Sequence, residues 1–261
     1  MAFTSSAVER VTFLQRLFPR PSARIRPAGP RLGSVAELES PEFRAFMTTC
    51  NAFAAEHGLR QFTDWSKVWE YPWLHRHGLG TIDWRGRHLV DFGSEISPMP
   101  WLLAQQGARV TLIEADPQWQ PVWEKLRAKL GVDVRWHLVN SETLPLANET
   151  ADAITSFSVI EHQPDKKRAV DEIARVLKPH APLFISFDIC EPEMGMSFPE
   201  WNGRALTLRE FEREIWLHPA FGNASVPPWN LADIAAYKTW HLRSAPHHNY
   251  VTGAAVLVKG H

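Results

Sequence analysis

Cysteine is nearly missing from this sequence: Cys50 and Cys190 stand alone among 261 residues, without the spacing of a metal or redox motif. That argues for a reducing compartment, so a cytoplasmic location is expected. Long apolar runs are lacking as well. None approaches the length of a membrane span, which predicts a soluble chain. Excess charge of either sign is absent: 28 Lys and Arg face 29 Asp and Glu, a formal net charge of −1. Nucleic acid therefore has no electrostatic case as a partner. The last shortage is local. In HLVDFGSEISPMPWLLAQQGARVTLIEAD, residues 88–116, the turn after the first strand has a single glycine, Gly93, with Glu95 and Ser97 where further glycines belong.

What is present fits one α/β domain with an appended segment, since 44% of the residues are apolar, enough for a sizeable core. The first 34 residues carry six arginines against Glu9 alone, and the prolines of FPRPSARIRPAGPRLG oppose regular structure. Such a start resembles an organelle transit peptide. The preferred reading is a flexible basic arm over 1–34, with one short helix around Ala7 to Leu17. A helical segment follows over 35–80. Ser40 caps it, Pro41 takes the first turn, Phe43, Phe46, Met47, Cys50, Phe53 and Ala54 repeat at helical spacing, and Gly58 ends it. The aromatic run QFTDWSKVWEYPWLHRHGL, residues 61–79, is either a packed connector or a lid feeding into the turn at Gly93.

From about residue 81 strands alternate with helices to the end of the chain. HLVDFG, ARVTLIE, VDVRWHLV, ADAITSFS, PLFISFDI and NYVTGAAVLV read as strands. Helices are predicted over Gln118 to Leu130, after Asp165 up to Pro179, and from Thr207, where Thr207 and Glu210 spell a capping box. Strands separated by helices imply a mostly parallel sheet covered on both faces. Ligands of such sheets lie beyond the carboxyl ends of the strands, where strand order reverses.

Gly93 follows the first strand, and Glu114 ends the second one 21 residues later, the spacing at which an acid reaches ribose hydroxyls. A pyrophosphate would need the missing glycines. Glu95 would repel it, and Pro98 and Pro100 remove two amide donors, so a nicotinamide dinucleotide is disfavoured. S-adenosylmethionine has a ribose and an adenine but no phosphate. Its sulfonium and ammonium suit acids such as Asp91 and Glu95.

With LVDFGSEISPMP, VTLIEAD and VNSETLPLANETADAITSFSVIEHQPDKKRAVDEIARVLKPHAPLFISF in order along the chain, the sequence resembles the class I S-adenosylmethionine-dependent methyltransferases that act on small molecules. The likeness runs from about residue 61 to 260. It implies a Rossmann-like, seven-stranded, mostly parallel sheet with an antiparallel last strand, helices on both faces and an N-terminal helical lid. The domain would be 81–261.

The resemblance also implies site roles. Asp91 and Gly93 would line the methionine end, with Tyr71, Ser94 and Glu95 also binding the cofactor. Glu114 and Ala115 would hold the ribose, Asn140, Ser141 and Glu142 would flank the adenine, and Ser156 or Ser158 would close the site. A positive φ at Glu95 would cost roughly 1–2 kcal/mol in a residue other than glycine. For a hydroxyl acceptor, a base is expected from His162, His247 or His248, converging at one sheet edge. Some related enzymes bind a divalent ion with Glu-x-x-Glu-His; here Ser158 replaces the first acid, so no metal is expected.

The Trp-rich stretches EYPW, SFPEWNG and VPPWN are expected to wall a pocket for a small polar acceptor, a sugar or secondary metabolite methylated at oxygen. The rival reading is a catalytically silent scaffold of the same fold, fed by Glu95 and the lost glycines.

Overall fold

The computed structural model describes residues 25–63, 66–140, 143–200, 203–244, 246 and 248–261. A seven-stranded sheet forms the centre, in the order β1-β7-β6-β5-β2-β3-β4. Its strands are β1 (Ala28–Leu32), β2 (His88–Phe92), β3 (Arg109–Glu114), β4 (Val134–Leu138), β5 (Ala153–Phe157), β6 (Pro182–Ile189) and β7 (Val251–Val258). Strands β2 to β6 are parallel, and β7 is antiparallel to β6 along its whole length. β5 and β6 are buried at every position. Their mostly apolar runs, interrupted by Thr155, Ser156, Ser186 and Asp188, follow from cover on both faces.

The seventh strand corrects the sequence reading. Residues 28–32 fall in the stretch read as a flexible, proline-broken arm, yet they pair antiparallel with β7 and finish the sheet. Pro30 is tolerated because β1 is an edge strand with one free side. The side chain of Asn230 serves that side: its Oδ1 accepts from the Leu32 amide at 2.8 Å and its Nδ2 donates to the Leu32 carbonyl at 2.9 Å. The helix expected around Ala7 to Leu17 lies outside the described residues.

Helices pack around the sheet as the periodicity requires. A single turn, α1 (Val35–Leu38), precedes α2 (Pro41–His57), whose cap is Ser40, accepting from the Phe43 amide, and whose end is the left-handed Gly58. α3 (Lys67–Arg76) has Trp69, Tyr71, Trp73 and Leu74 buried around its internal Pro72. α4 (Met99–Gln105) and α5 (Gln120–Leu130) flank β3 in sequence. α6 (Lys166–Val176) starts on an Asp165 cap and buries Val170, Ile173 and Val176, each burial contributing about 1.5–3 kcal/mol. The capping box of Thr207 and Glu210 is formed, but α7 (Leu208–Phe211) is one turn that passes into a wider-wound turn over Glu212–Trp216. α8 (Ile234–Ser244) precedes β7.

Strand order reverses between β5 and β2, so the loops after β2, β3 and β5 open onto one crevice. No helix among the described residues is long and apolar enough to cross a membrane.

Candidate active site

The crevice begins at the β2 turn. Gly93 has φ +79°, and a Cβ there would lie 2.3 Å from Val159 Cγ2. Only glycine lets the β2 and β5 loops approach this closely. Two residues on, Glu95 takes φ +41°, the left-handed conformation that the sequence identified as costly. Its neighbours hold it there. The Glu95 amide donates to Glu114 Oε2 at 2.9 Å, its carbonyl accepts from Trp123 Nε1 at 2.7 Å, and its carboxylate pairs with Arg60 Nη1 at 2.6 Å. The Arg60 amide also donates to the Ile96 carbonyl, and Tyr71 Oη meets Ser97 Oγ at 2.6 Å. The segment between α2 and α3 is thus stapled to the turn.

Glu114 ends β3 with both oxygens occupied by main chain. Oε1 accepts from the amides of Ala115 (2.8 Å) and Asp116 (3.3 Å), opposite the contact of Oε2 with Glu95. A carboxylate fixed by three amides is oriented in advance for a diol. Asp91, buried at the end of β2, accepts from Thr155 Oγ1 at 2.5 Å. Burial pushes its carboxyl up to about 6, against that hydrogen bond. Ser94 Oγ donates to the Asp91 carbonyl.

Two adjoining cavities share Gly93, Glu114, Ala115, Val159 and His162. The larger, about 510 Å³, is also lined by Tyr71, Asp91, Ser94, Glu95, Ser158 and Asp188. The smaller, about 350 Å³, runs past Asn140. Together they place Tyr71, Asp91, Gly93, Ser94, Glu95, Glu114, Ala115, Asn140, Ser158 and His162 along one groove. Ser141, Glu142 and His247 lie outside the described residues.

Two expectations are not met, and the alternative of Ser156 or Ser158 falls to Ser158. Ser156 is fully buried and lines neither cavity. Ser158, one residue past the end of β5, leaves the extended conformation at φ +53° and lines the groove, with its hydroxyl on Glu70 Oε1 at 2.9 Å. His248 also lines neither cavity; it is buried 3.3 Å from the Tyr250 hydroxyl, beside His241. It does not join His162 in the groove. Nor do the tryptophans wall it: Trp73 is buried against His77, Trp229 packs on Phe187 and Phe211, and Trp201 lies outside the described residues. Their large apolar area is spent in packing, and the aromatic lining is Phe62, Tyr71 and Phe157.

Sequence reasoning missed a second group of residues. Lys67 and Asp188 line the larger cavity, with Glu70 and Glu161 buried behind them. An aspartate one residue from the end of the mostly apolar strand PLFISFDI was the available signal, because unpaired acids are rarely buried. The insertion after β6 covers this group. Gly203, at φ +84°, passes so close that a Cβ would sit 3.0 Å from His162 Nδ1, and the Arg204 amide donates to the Glu161 carbonyl. Among the described residues no cluster of three or more His, Cys, Asp or Glu is arranged to hold a metal ion.

Residues 90–185 match the family profile described as a methyltransferase domain. A ubiquinone biosynthesis O-methyltransferase of Xylella fastidiosa is 35% identical over 103 residues, 39% of this chain and 42% of that protein. An uncharacterised methyltransferase of Mycobacterium leprae is 30% identical over 141 residues, 52% of this chain and 50% of its own. The chain spans at most about half the length of these curated relatives. Among solved structures, geranyl diphosphate C-methyltransferase from Streptomyces coelicolor superposes with a TM-score of 0.57 at 12% identity, covering 85% of this chain and 99% of that one. The cyclase SpnF superposes with a TM-score of 0.56 at 15% identity, covering 100% and 97%. At such identities the likeness shows a shared fold, and the cyclase shows that the fold alone does not name a reaction.

Proposed function

The chain carries a class I S-adenosylmethionine-dependent methyltransferase domain, and from that premise we propose that it transfers the methyl group to an oxygen of a small polar acceptor, a sugar or secondary metabolite. One observation carries the reading: a single groove joins the Gly93 cradle, the amide-anchored Glu114 carboxylate and a second cavity deep enough for an acceptor. The residues fit the donor. A Cβ at position 93 would fill the cradle, and Glu114 has the right charge and orientation for two ribose hydroxyls. Asn140 would meet the adenine, and Asp91, Gly93 and Ser94 the methionine end, since all of them line the groove. When bound, the donor supplies a methyl group on an already activated sulfonium.

The protein's part is then alignment and proton handling. A groove that holds donor and acceptor side by side converts a two-body encounter into a unimolecular step. His162 lines both cavities, where an imidazole would be placed to take the hydroxyl proton. Tyr71, on the stapled α3, covers the groove in the manner of a lid. Against the silent-scaffold alternative, Glu95 turns its carboxylate onto Arg60 and its amide onto Glu114, so the substitution supports the ribose acid.

Methyl transfer from tritiated donor to a panel of phenolic and aliphatic alcohols tests this reading. His162→Ala should lower kcat by roughly 10²-fold or more and leave S-adenosylhomocysteine affinity unchanged. Unchanged turnover, or an equal loss of cofactor affinity, contradicts the role.

A further inference from the structure

The charged groups at the floor of the larger cavity do not balance. Lys67 Nζ is committed to Glu70 Oε2 at 2.9 Å, and Glu70 takes two more donors, Ser186 Oγ (2.6 Å) and Ser158 Oγ (2.9 Å). That pair is neutral, and its carboxylate already holds three donors. Asp188 lines the same cavity, with its Oδ1 accepting from Thr252 Oγ1 at 3.0 Å. Among the described residues no ammonium or guanidinium is paired with it. Lys166 is near but spends its ammonium on the carbonyls of Glu161 and Gln163, and Arg204 on Glu210.

Behind Asp188 lies Glu161, with no exposed surface and neither carboxyl oxygen in hydrogen-bond geometry with a donor. Its close polar neighbours are its own amide and the Asp188 carboxyl. Two buried acids in contact do not both ionise. Burial, with the charge of Asp188 added, raises Glu161 far above the carboxylate range, so Glu161 keeps the proton and turns it to Asp188. The other titratable groups near the pair, Tyr237, Tyr250 and His241, are held neutral: burial raises both phenols and lowers the imidazole. Burial also raises Asp188, to about 7, so above that pH the floor presents its carboxylate to the cavity, and among the described residues it has no ion pair of its own, the nearby Lys67 being taken by Glu70.

We propose that Asp188, backed by Glu161 and Thr252, is a subsite for a cationic ammonium group on the acceptor. This narrows the acceptor class to amine-bearing molecules, with the amine as anchor and the methyl placed elsewhere, and it rests on the reading that this cavity receives an acceptor. An ammonium beside Asp188 replaces water on a carboxylate that burial has already desolvated, so charge is read here more strongly than at the surface.

The test uses benzylamine and benzyl alcohol, equal in size and different in charge, titrated at about pH 8, above the raised Asp188 value, into protein saturated with S-adenosylhomocysteine. Benzylamine should bind about tenfold or more tightly than the alcohol, and Asp188→Asn should abolish that preference. Glu161→Gln imitates the protonated acid and should keep the preference within about threefold. Equal affinity of the two probes for unmodified protein overturns the proposal, whether or not the variants fold. So does a preference that survives Asp188→Asn. If Asp188→Asn weakens S-adenosylmethionine but neither S-adenosylhomocysteine nor benzylamine, the charge serves the sulfonium and the proposal fails. Should S-adenosylhomocysteine itself not bind, the methyltransferase reading fails separately, and the probe pair on free protein still decides the subsite.

Discussion

Gly93 and Glu95 stand two positions apart in the same turn, both with positive φ, and they respond to substitution in opposite ways. At Gly93 an added methyl meets Val159 at 2.3 Å in a conformation that L-residues avoid. Gly93→Ala should cost about 1–3 kcal/mol of stability and weaken S-adenosylhomocysteine binding about tenfold or more. At Glu95 the strain is already present, so Glu95→Gly relieves it while losing a half-exposed ion pair of little worth. Its stability should be unchanged or raised by up to about 1 kcal/mol. Urea unfolding of the two variants checks the contrast; a larger loss from Glu95→Gly than from Gly93→Ala would contradict it.

At the scale of elements, the test falls on β1. Asn230 gives the edge strand a donor and an acceptor in place of a further strand, at a Leu32 that has no exposed surface. Asn230→Ala leaves both Leu32 groups without those partners and should destabilise by about 1–3 kcal/mol, with faster amide exchange at Leu32. Exchange no faster than wild type would show that β1 is held by β7 alone. This strand was also the least legible in the sequence. AGPRL has neither alternation nor β-branched residues, and its pairing is set by a partner more than 200 residues away. The parallel strands were legible because their apolar runs are local, and PLFISFDI coincides with β6. In the groove, Gly93 and Glu114 were readable from spacing along the chain. Arg60 and Asp188 were not, nor were the contacts of Glu70 with Ser158 and Ser186, because these form only through tertiary packing.

For the molecule as a whole, the buried acids and imidazoles set the dependence of stability on pH. Burial lowers His77 and His88, and takes His241 to about 4. For these the unfolded chain binds more protons, so they favour folding increasingly as pH rises to about 6.5 and contribute no slope beyond it. Burial raises Asp91 to about 6 and lifts Glu161 and Asp188 further. For these the folded protein binds more protons, so their contribution is full below about pH 4 and is lost as pH climbs through the folded values. The two sets oppose each other at acid pH, and of these groups the Glu161–Asp188 pair carries the dependence above about pH 6.5. The urea midpoint of ligand-free protein should therefore fall between about pH 6.5 and 8.5, and Glu161→Gln should flatten that fall. An equally steep fall in Glu161→Gln would show that the pair does not hold the proton.

The central claim is that this remodelled turn, with one glycine and a left-handed glutamate, still forms a nucleoside site through Glu114. Calorimetric titration of S-adenosylhomocysteine into wild-type protein and Glu114→Ala, side by side, tests it most directly. The account predicts micromolar binding to wild type, roughly −8 kcal/mol, and a loss of about tenfold or more in the variant. No binding to folded wild-type protein, or equal binding to both, would contradict it.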